Sequence, residues 1–519
     1  MNAGFKFRTT QGRRRWVAVC LSIALTATAA DWPQYRGPTH DGVVVERLNQ
    51  QWTGATTNPV WRVYLTNGLT SLTIGGGRVF TQVAQDNDGD GYGDKEYCVA
   101  LNATNGGMLW ATEVDAQGFL YPNGGVGYTD DGPRSTPVLF NGSAYVLSTY
   151  LKLYRLDATN GTVIWSTNLV DGFGADVIPW QNAASPLIED GLVFVNANAG
   201  TQRIMAFNAT NGALVWRSQN EGMTHSTPVL ATIQGVRQLI FATQSGLMAL
   251  APATGTLIWR FTYPFGYSTS IGASPAVYQD YVFISASYAM GAVAVQIVQS
   301  NSTLVPVQRW RVAALEDHWA TPVCYDGAIF GQFTPDSANA ELRCIDLASG
   351  ATRWAVGGFG RGNVLLAGTN LLAITERGDL VLAAANTNAY QELGRFQAIT
   401  NFHTDHNKCW NALAVSDGQV YVRSTAYAAR FDLSQPDLKL DPPLLSDNRL
   451  SLDIRTVTGA PLNSNRLTSI EVRASTNAAL SPAVWTKLTN ALVLTNGVAR
   501  MTNVDAATDR RFFIVSEPK

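Results

Sequence analysis

The chain has 519 residues, of which 46 % are hydrophobic and only 15 % charged, and its net charge is −2. That balance suits a large core of short strands and argues against broad disorder. Outside the N-terminal leader there is no block of Lys or Arg, so neither nucleic acid nor an anionic membrane is an expected partner.

Arg8, Arg13, Arg14 and Arg15 precede the apolar run from Trp16 to Leu25 and the small residues from Thr26 to Ala30. This is the pattern of a signal peptide over residues 1–30, cleaved near Ala29 or Ala30. The Arg13-Arg14-Arg15 run fits twin-arginine export as well as ordinary secretion. No later segment is apolar for long enough to span a bilayer. The expected product is a monomer, exported to the periplasm or secreted. Cys98, Cys324, Cys344 and Cys409 would remain. They form no adjacent pair and no Cys-x-x-Cys, and read as buried small residues, with one structural disulfide as the alternative.

Next comes Trp32-Pro-Gln-Tyr-Arg-Gly-Pro-Thr-His-Asp-Gly42, then a strand-like run at 59–64. From there one phrase recurs: Leu101 to Trp110, Leu156-Asp-Ala-Thr-Asn-Gly-Thr-Val-Ile-Trp165, Phe207 to Trp216, Leu250 to Trp259 and Ile345 to Trp354. A period of roughly 40–55 residues ending in Trp is a β-propeller signature. Each repeat opens with a short strand, usually Ser/Thr/Ala-Pro followed by apolar residues, as in Ser135-Thr-Pro-Val138. A turn such as Asn141-Gly142 or Asp190-Gly191 follows, then a Val/Phe/Tyr-rich strand, the Leu-Asp strand and the Trp strand. Four such runs make one meander, hence one blade.

Counting the openings from Leu72 to Ala412 predicts an all-β fold, an eight-bladed propeller over residues 31–433. The last blade lacks a Trp strand, and residues 59–64 are expected to supply it, which removes exposed edges. The repeated residues build the fold. Gly permits a turn with positive φ, Asp or Asn caps it, and Trp wedges between blades with its indole N–H seeking a partner. Residues 434–444 read as a linker and 445–519 as a small β-sandwich-like domain.

Two sites stand out. Asp86, Asp88, Asp90, Tyr92 and Asp94 lie in Asp86-Asn-Asp-Gly-Asp-Gly-Tyr-Gly-Asp94, which matches the first part of an EF-hand-type calcium loop. The usual Glu at position 12 is replaced by Tyr97, and a solvated acidic turn is the alternative. The second site is the funnel formed by the openings of the innermost strands. Arg134, Asn182, His225, Asp317, His318 and Trp319 lie at or near one level there, with Asp131, Trp180, Gln181, Lys408 and Trp410 nearby. Cations, carboxylates and indoles around one funnel suit a planar anionic or a sugar-like ligand. His403-Thr-Asp-His406 has the spacing of a metal pair but no obvious third ligand.

The Trp phrase resembles the pyrroloquinoline-quinone-type propeller repeat of quinoprotein alcohol dehydrogenases and of the outer-membrane assembly lipoprotein. With Trp32 to Gly42, Gly132-Pro-Arg-Ser-Thr-Pro137 and Cys344-Ile-Asp-Leu-Ala-Ser-Gly350, residues 31–433 resemble exported bacterial PQQ-binding-like propeller proteins. The quinoprotein side of the resemblance implies a quinone and calcium in the funnel, held with a vicinal Cys-Cys pair. This chain has no such pair. The expected function is therefore a non-catalytic binding or scaffold protein for a protein or carbohydrate partner. The alternative is a PQQ-dependent alcohol or sugar dehydrogenase.

Overall fold

Short runs such as Val193-Phe194-Val195 and Leu371-Leu372-Ala373 are buried throughout, as expected for strands packed on both faces. Asn, Asp and Gln at positive φ (Asn141, Asp190, Gln234, Asp326, Asp417) end the first strand of each pair, and a glycine usually follows. A computed structural model describes residues 31–85, 95–116, 132–263, 271–333, 339–399, 408–506 and 511–517. It divides into two units, residues 29–433 and a second built on residues 434–519.

Among the described residues of the larger unit there are eight sheets, each a four-strand antiparallel arrangement of propeller-blade form. They are numbered here in chain order. Sheets 1 to 6 open at Thr73, Val138, Leu187, Val229, Ala276 and Val323, sheet 7 at Asn363 and sheet 8 at Ala414. Sheet 8 takes its outer strand, Trp61–Tyr64, from the N-terminal side, with Trp61 opposite Arg430 and Tyr64 opposite Tyr427. Sheet 7 gains Val43–Val44 as an extra innermost strand, parallel to Asn363–Ala367.

The core lies between neighbouring sheets. One cluster joins Leu187 and Phe194 of sheet 3 to Leu239 and Phe241 of sheet 4, and another joins sheets 7, 8 and 1. The seam between the last sheet and the first is hydrogen-bonded. Asn411 Nδ2 donates to Thr70 O (2.9 Å) and Arg423 Nη1 donates to Thr70 O (2.7 Å).

The repeated Trp residues lie across sheet boundaries. Indole N–H groups of Trp61, Trp110, Trp165, Trp216, Trp310 and Trp354 donate to carbonyls of Ala103, Ala158, Ala209, Pro252, Leu347 and Asn386, each in the next sheet.

In the smaller unit, Leu438–Leu440, Arg449–Thr456, Val498–Asp505 and Leu492–Thr495 form one sheet, with Leu444–Ser446 also paired to Arg449–Thr456. Part of the stretch expected as a linker is therefore strand. Thr486–Lys487, Glu471–Ser475 and Phe512–Ser516 form a second sheet. The two sheets share a core of Leu452, Ile454, Val472, Met501 and Phe513.

Candidate functional site

The Ser/Thr-Pro openings have a specific job. Ser71 N–H donates to Thr136 Oγ1 (3.2 Å), Thr136 N–H to Ser185 Oγ (2.9 Å), and Ser185 N–H to Thr227 Oγ1 (3.0 Å). Ser274 N–H donates to Thr321 Oγ1 (2.8 Å), and across the seam Ala412 N–H donates to Ser71 Oγ (2.9 Å). The hydroxyls of Ser71, Thr136, Ser185, Thr227 and Thr321 thus each receive the amide of the opening before, whereas Ser274 Oγ is buried without such a bond. Gly362 and Ala412 have no hydroxyl, so sheets 7 and 8 depart from this scheme. Gly362 N–H donates instead to Gln332 Oε1 (2.6 Å), and Asn363 Nδ2 donates to Trp410 O (2.6 Å).

The richest side-chain cluster of the funnel sits beside that departure. Trp319 has the His318 ring 4.3 Å away and the Trp410 ring 4.2 Å away, at interplanar angles of 38° and 32°. Both contacts are tilted rather than parallel, and they join His318, Trp319 and Trp410 into one aromatic cluster. Tyr288 meets His318 edge-on at 5.1 Å. Lys408 Nζ lies 4.6 Å from the Trp410 ring centre, and the Arg361 guanidinium lies 5.3 Å from Trp410 and 5.6 Å from Trp319. These are cation–π distances. Glu376 ties the group together: its carboxylate accepts Trp410 Nε1–H (3.1 Å) and Arg361 N–H (3.2 Å).

The remaining predicted residues fall into two groups. Arg134 Nη1 donates to Trp180 O (2.9 Å), and His225 Nε2–H donates to the carbonyls of Gln181 (2.9 Å) and Pro179 (3.1 Å). Trp180 and Gln181 both have positive φ, which turns these carbonyls toward the two side chains. Burial first, then the Arg134 charge, pushes the His225 imidazole down to about 3. Burial, then Arg361, lowers His318 to about 4. Both rings are neutral near pH 7, and the cations of the funnel are Arg134, Arg361 and Lys408. Asn182 is buried and its amide is used by the backbone: Nδ2 donates to Ala184 O and Ser148 O, and Oδ1 accepts Ala184 N–H.

Asp317 is also buried, and burial raises its carboxyl well above the usual range, opposed by N–H groups of Ala320 and Trp319 and by the Arg36 charge. It caps the turn that presents Trp319.

The structure therefore brings together His318, Trp319, Lys408 and Trp410 from the sequence-level set. It adds Tyr288, Arg361 and Glu376, which sequence reasoning missed. The usable signal was Phe359-Gly-Arg-Gly-Asn363, an arginine between glycines where other repeats carry Ser/Thr-Pro. Asp86, Asp88, Asp90, Tyr92 and Asp94, with Asp131, His403 and His406, lie outside the described residues.

Among the described residues no group of three or more His, Cys, Asp or Glu side chains is placed to hold a metal ion. The four described cysteines are free. Burial pushes the Cys324 and Cys344 thiols up to about 12 and about 11 and raises Cys98 and Cys409 further, so none is poised as a thiolate. No described helix is long and apolar enough to cross a membrane.

Comparison with known proteins places this architecture. BamB from Moraxella catarrhalis superimposes with a TM-score of 0.50 at 16 % identity, over 73 % of this chain and 98 % of that one. Quinohemoprotein alcohol dehydrogenase from Comamonas testosteroni gives 0.53 at 13 % identity, over 82 % and 84 %. At such identities the likeness is one of fold. A tetrathionate hydrolase of Acidithiobacillus ferrooxidans is 26 % identical over 155 residues, 30 % of this chain. The chain spans about a quarter of the length of that curated relative. The family described as outer membrane protein assembly factor BamB matches residues 94–356, just over half of the chain. On that match, the chain belongs to this family of PQQ-like propeller-repeat proteins.

Proposed function

We propose that the protein is an exported, non-catalytic binding protein whose funnel receives a protein or carbohydrate partner bearing acidic groups. One observation carries this reading: Trp319 packs against His318 and Trp410 at ring-centre distances of 4.3 and 4.2 Å, and the Arg361 and Lys408 cations lie over the indole faces. A planar quinone needs an open ring face. A quinone stacked between Trp319 and Trp410 would have to separate rings that lie 4.2 Å apart. Cations held over an aromatic cluster instead suit carboxylate or phosphate groups on a larger partner. Export is supported by the arginine-rich, apolar leader pattern.

The test uses the mature protein on an immobilised polyuronate and on an acidic peptide. Arg361→Gln and Trp410→Ala should each weaken binding by roughly tenfold, the scale of about 1–2 kcal/mol for such a contact. Unchanged binding in both variants, or none by the parent, counts against the reading.

The second reading, a quinoprotein dehydrogenase with quinone and calcium in the funnel, draws support from the fold likeness to the alcohol dehydrogenases. Among the described residues no group of three or more His, Cys, Asp or Glu is placed for the calcium of that reading: Glu376 is engaged by Trp410 and Arg361, and Asp317 accepts backbone amides but keeps its Oδ2 without a hydrogen-bond partner. Added pyrroloquinoline quinone and calcium should give neither stoichiometric quinone uptake nor dye-linked alcohol oxidation. Uptake with turnover would establish the enzyme instead.

Calcium in the loop of Asp86, Asp88, Asp90, Tyr92 and Asp94 is a separate proposal, supported by the ligand spacing alone. A chelator should lower the melting temperature of the parent but not of Asp88→Ala. An equal response in both removes the site.

A further inference from the structure

We propose that residues 31–49 are a built-in plug that fills the space inside the ring from the face opposite the funnel. Arg36 is the positioning residue through which this plug holds the Trp319 turn.

The segment bonds to innermost strands on opposite sides of the ring. Trp32 and Ile74 of sheet 1 exchange backbone hydrogen bonds (2.9 and 2.8 Å), and Leu139 N–H of sheet 2 donates to Pro33 O (2.7 Å). Three residues later, Arg36 Nη1 donates to Thr321 O (2.6 Å) and Nη2 to Pro322 O (2.7 Å), both in sheet 6. Val43–Val44 then runs as the innermost strand of sheet 7, and the Glu46 carboxylate accepts N–H groups of Asp417 and Gly418 at the first turn of sheet 8.

Four extended residues span at most about 14 Å. Pro33 reaches sheet 2 by its carbonyl, and Arg36 reaches sheet 6 by its guanidinium, one side-chain length beyond that span, so the chain between them crosses the inside of the ring rather than passing around it. The loop is folded tightly on Arg36: Gly42 N–H donates to Arg36 O (3.0 Å), and a Cβ on Gly42 would lie 2.6 Å from the guanidinium.

Thr321 and Pro322 follow Trp319 by two and three residues. Arg36 thus holds the Trp319 turn from its carbonyl side, while its charge faces Asp317, which caps the same turn. Removing the guanidinium leaves two buried carbonyls without these donors and a buried carboxyl without its counter-charge. The plug supplies the floor of the funnel whether or not the funnel binds a partner.

The experiment needs no ligand. Cys324 is half-buried on the first strand of sheet 6, beside the Arg36 and Asp41 charges. In the mature full-length protein it should resist a maleimide under native conditions. Arg36→Met should label it at least about tenfold faster, as expected for local opening. The same variant should lose the far-ultraviolet exciton couplet of the Trp319–Trp410 pair, which Trp410→Phe identifies. Arg36→Lys should retain the couplet in part. If Arg36→Met labels no faster and keeps the couplet, the proposal fails. Should that variant not fold, the wild-type amides of Ile74, Leu139, Leu366 and Gly368 decide, because they donate to plug carbonyls. Slow exchange is expected, and exchange at the rate of exposed loops overturns the plug.

Discussion

Gly161 is under two constraints at once. Its φ is +77°, and a Cβ there would lie 2.7 Å from the Trp110 ring of the preceding sheet. The first constraint was legible in the phrase Ala-Thr-Asn-Gly, because a turn glycine is a local matter. The second was not, because Trp110 belongs to a different repeat. Gly161→Ala should destabilise the protein on the order of 2–3 kcal/mol, from the left-handed backbone plus the clash. The shift of the urea midpoint at constant slope measures it, and a change below about 0.5 kcal/mol would show that Trp110 yields freely. Trp259 shows the rule by exception. Sheet 5 lacks the Leu-Asp phrase, so no equivalent turn carbonyl is offered there. The Trp259 indole donates instead to Gln238 Oε1 of its own sheet (2.6 Å).

At the scale of elements, the Ser/Thr-Pro openings were read correctly as one level of the ring, and that reading led to His318 and Trp319. What could not be read is the use of their hydroxyls as acceptors for the neighbouring opening. Nor could the consequence be read where the hydroxyl is missing. Gly362 and Ala412 leave the linkage to Gln332, Asn363 and Glu376, whose importance depends on which strand ends meet. Arg361 and Tyr288 stand outside the repeat grammar, so no alignment of openings includes them. Asn182 was the opposite case. It sits at the right level, but its amide is taken by Ser148 and Ala184 carbonyls, a local choice that only backbone geometry reveals.

The whole molecule carries its buried charge chemistry in a way that sets its response to pH. All three described histidines, His40, His225 and His318, have folded values of about 4, about 3 and about 4, with burial the first cause of each. Their unfolded value is about 6.5. Below that pH the unfolded chain takes protons that the folded chain refuses, so stability falls as pH drops from about 6.5 toward 4. Glu96 acts at the other end. Burial raises its carboxyl to about 8, so the folded state keeps a proton that the unfolded state releases above about 4.5. Its contribution is full below that pH and lost as pH rises through about 8. The melting temperature should therefore decline on both sides of a maximum near pH 6. His225→Gln should flatten the acid side and Glu96→Gln the alkaline side. A parent profile that is level from pH 4 to 8 would contradict both assignments.

The sequence by itself determined the meander, its turns, the interblade Trp and the family, because each depends on residues a few positions apart that repeat along the chain. Only the tertiary structure decided which side chains meet in the aromatic and cationic cluster. Tyr288, His318, Trp319, Arg361, Glu376, Lys408 and Trp410 come from the ends of four consecutive sheets, and their order in the chain does not encode the 4.2 Å stacking of two of them. It also decided the part played by Arg36. Its partners Thr321 and Pro322 lie 285 and 286 residues away in sequence, and closing the ring is what brings them within a hydrogen bond.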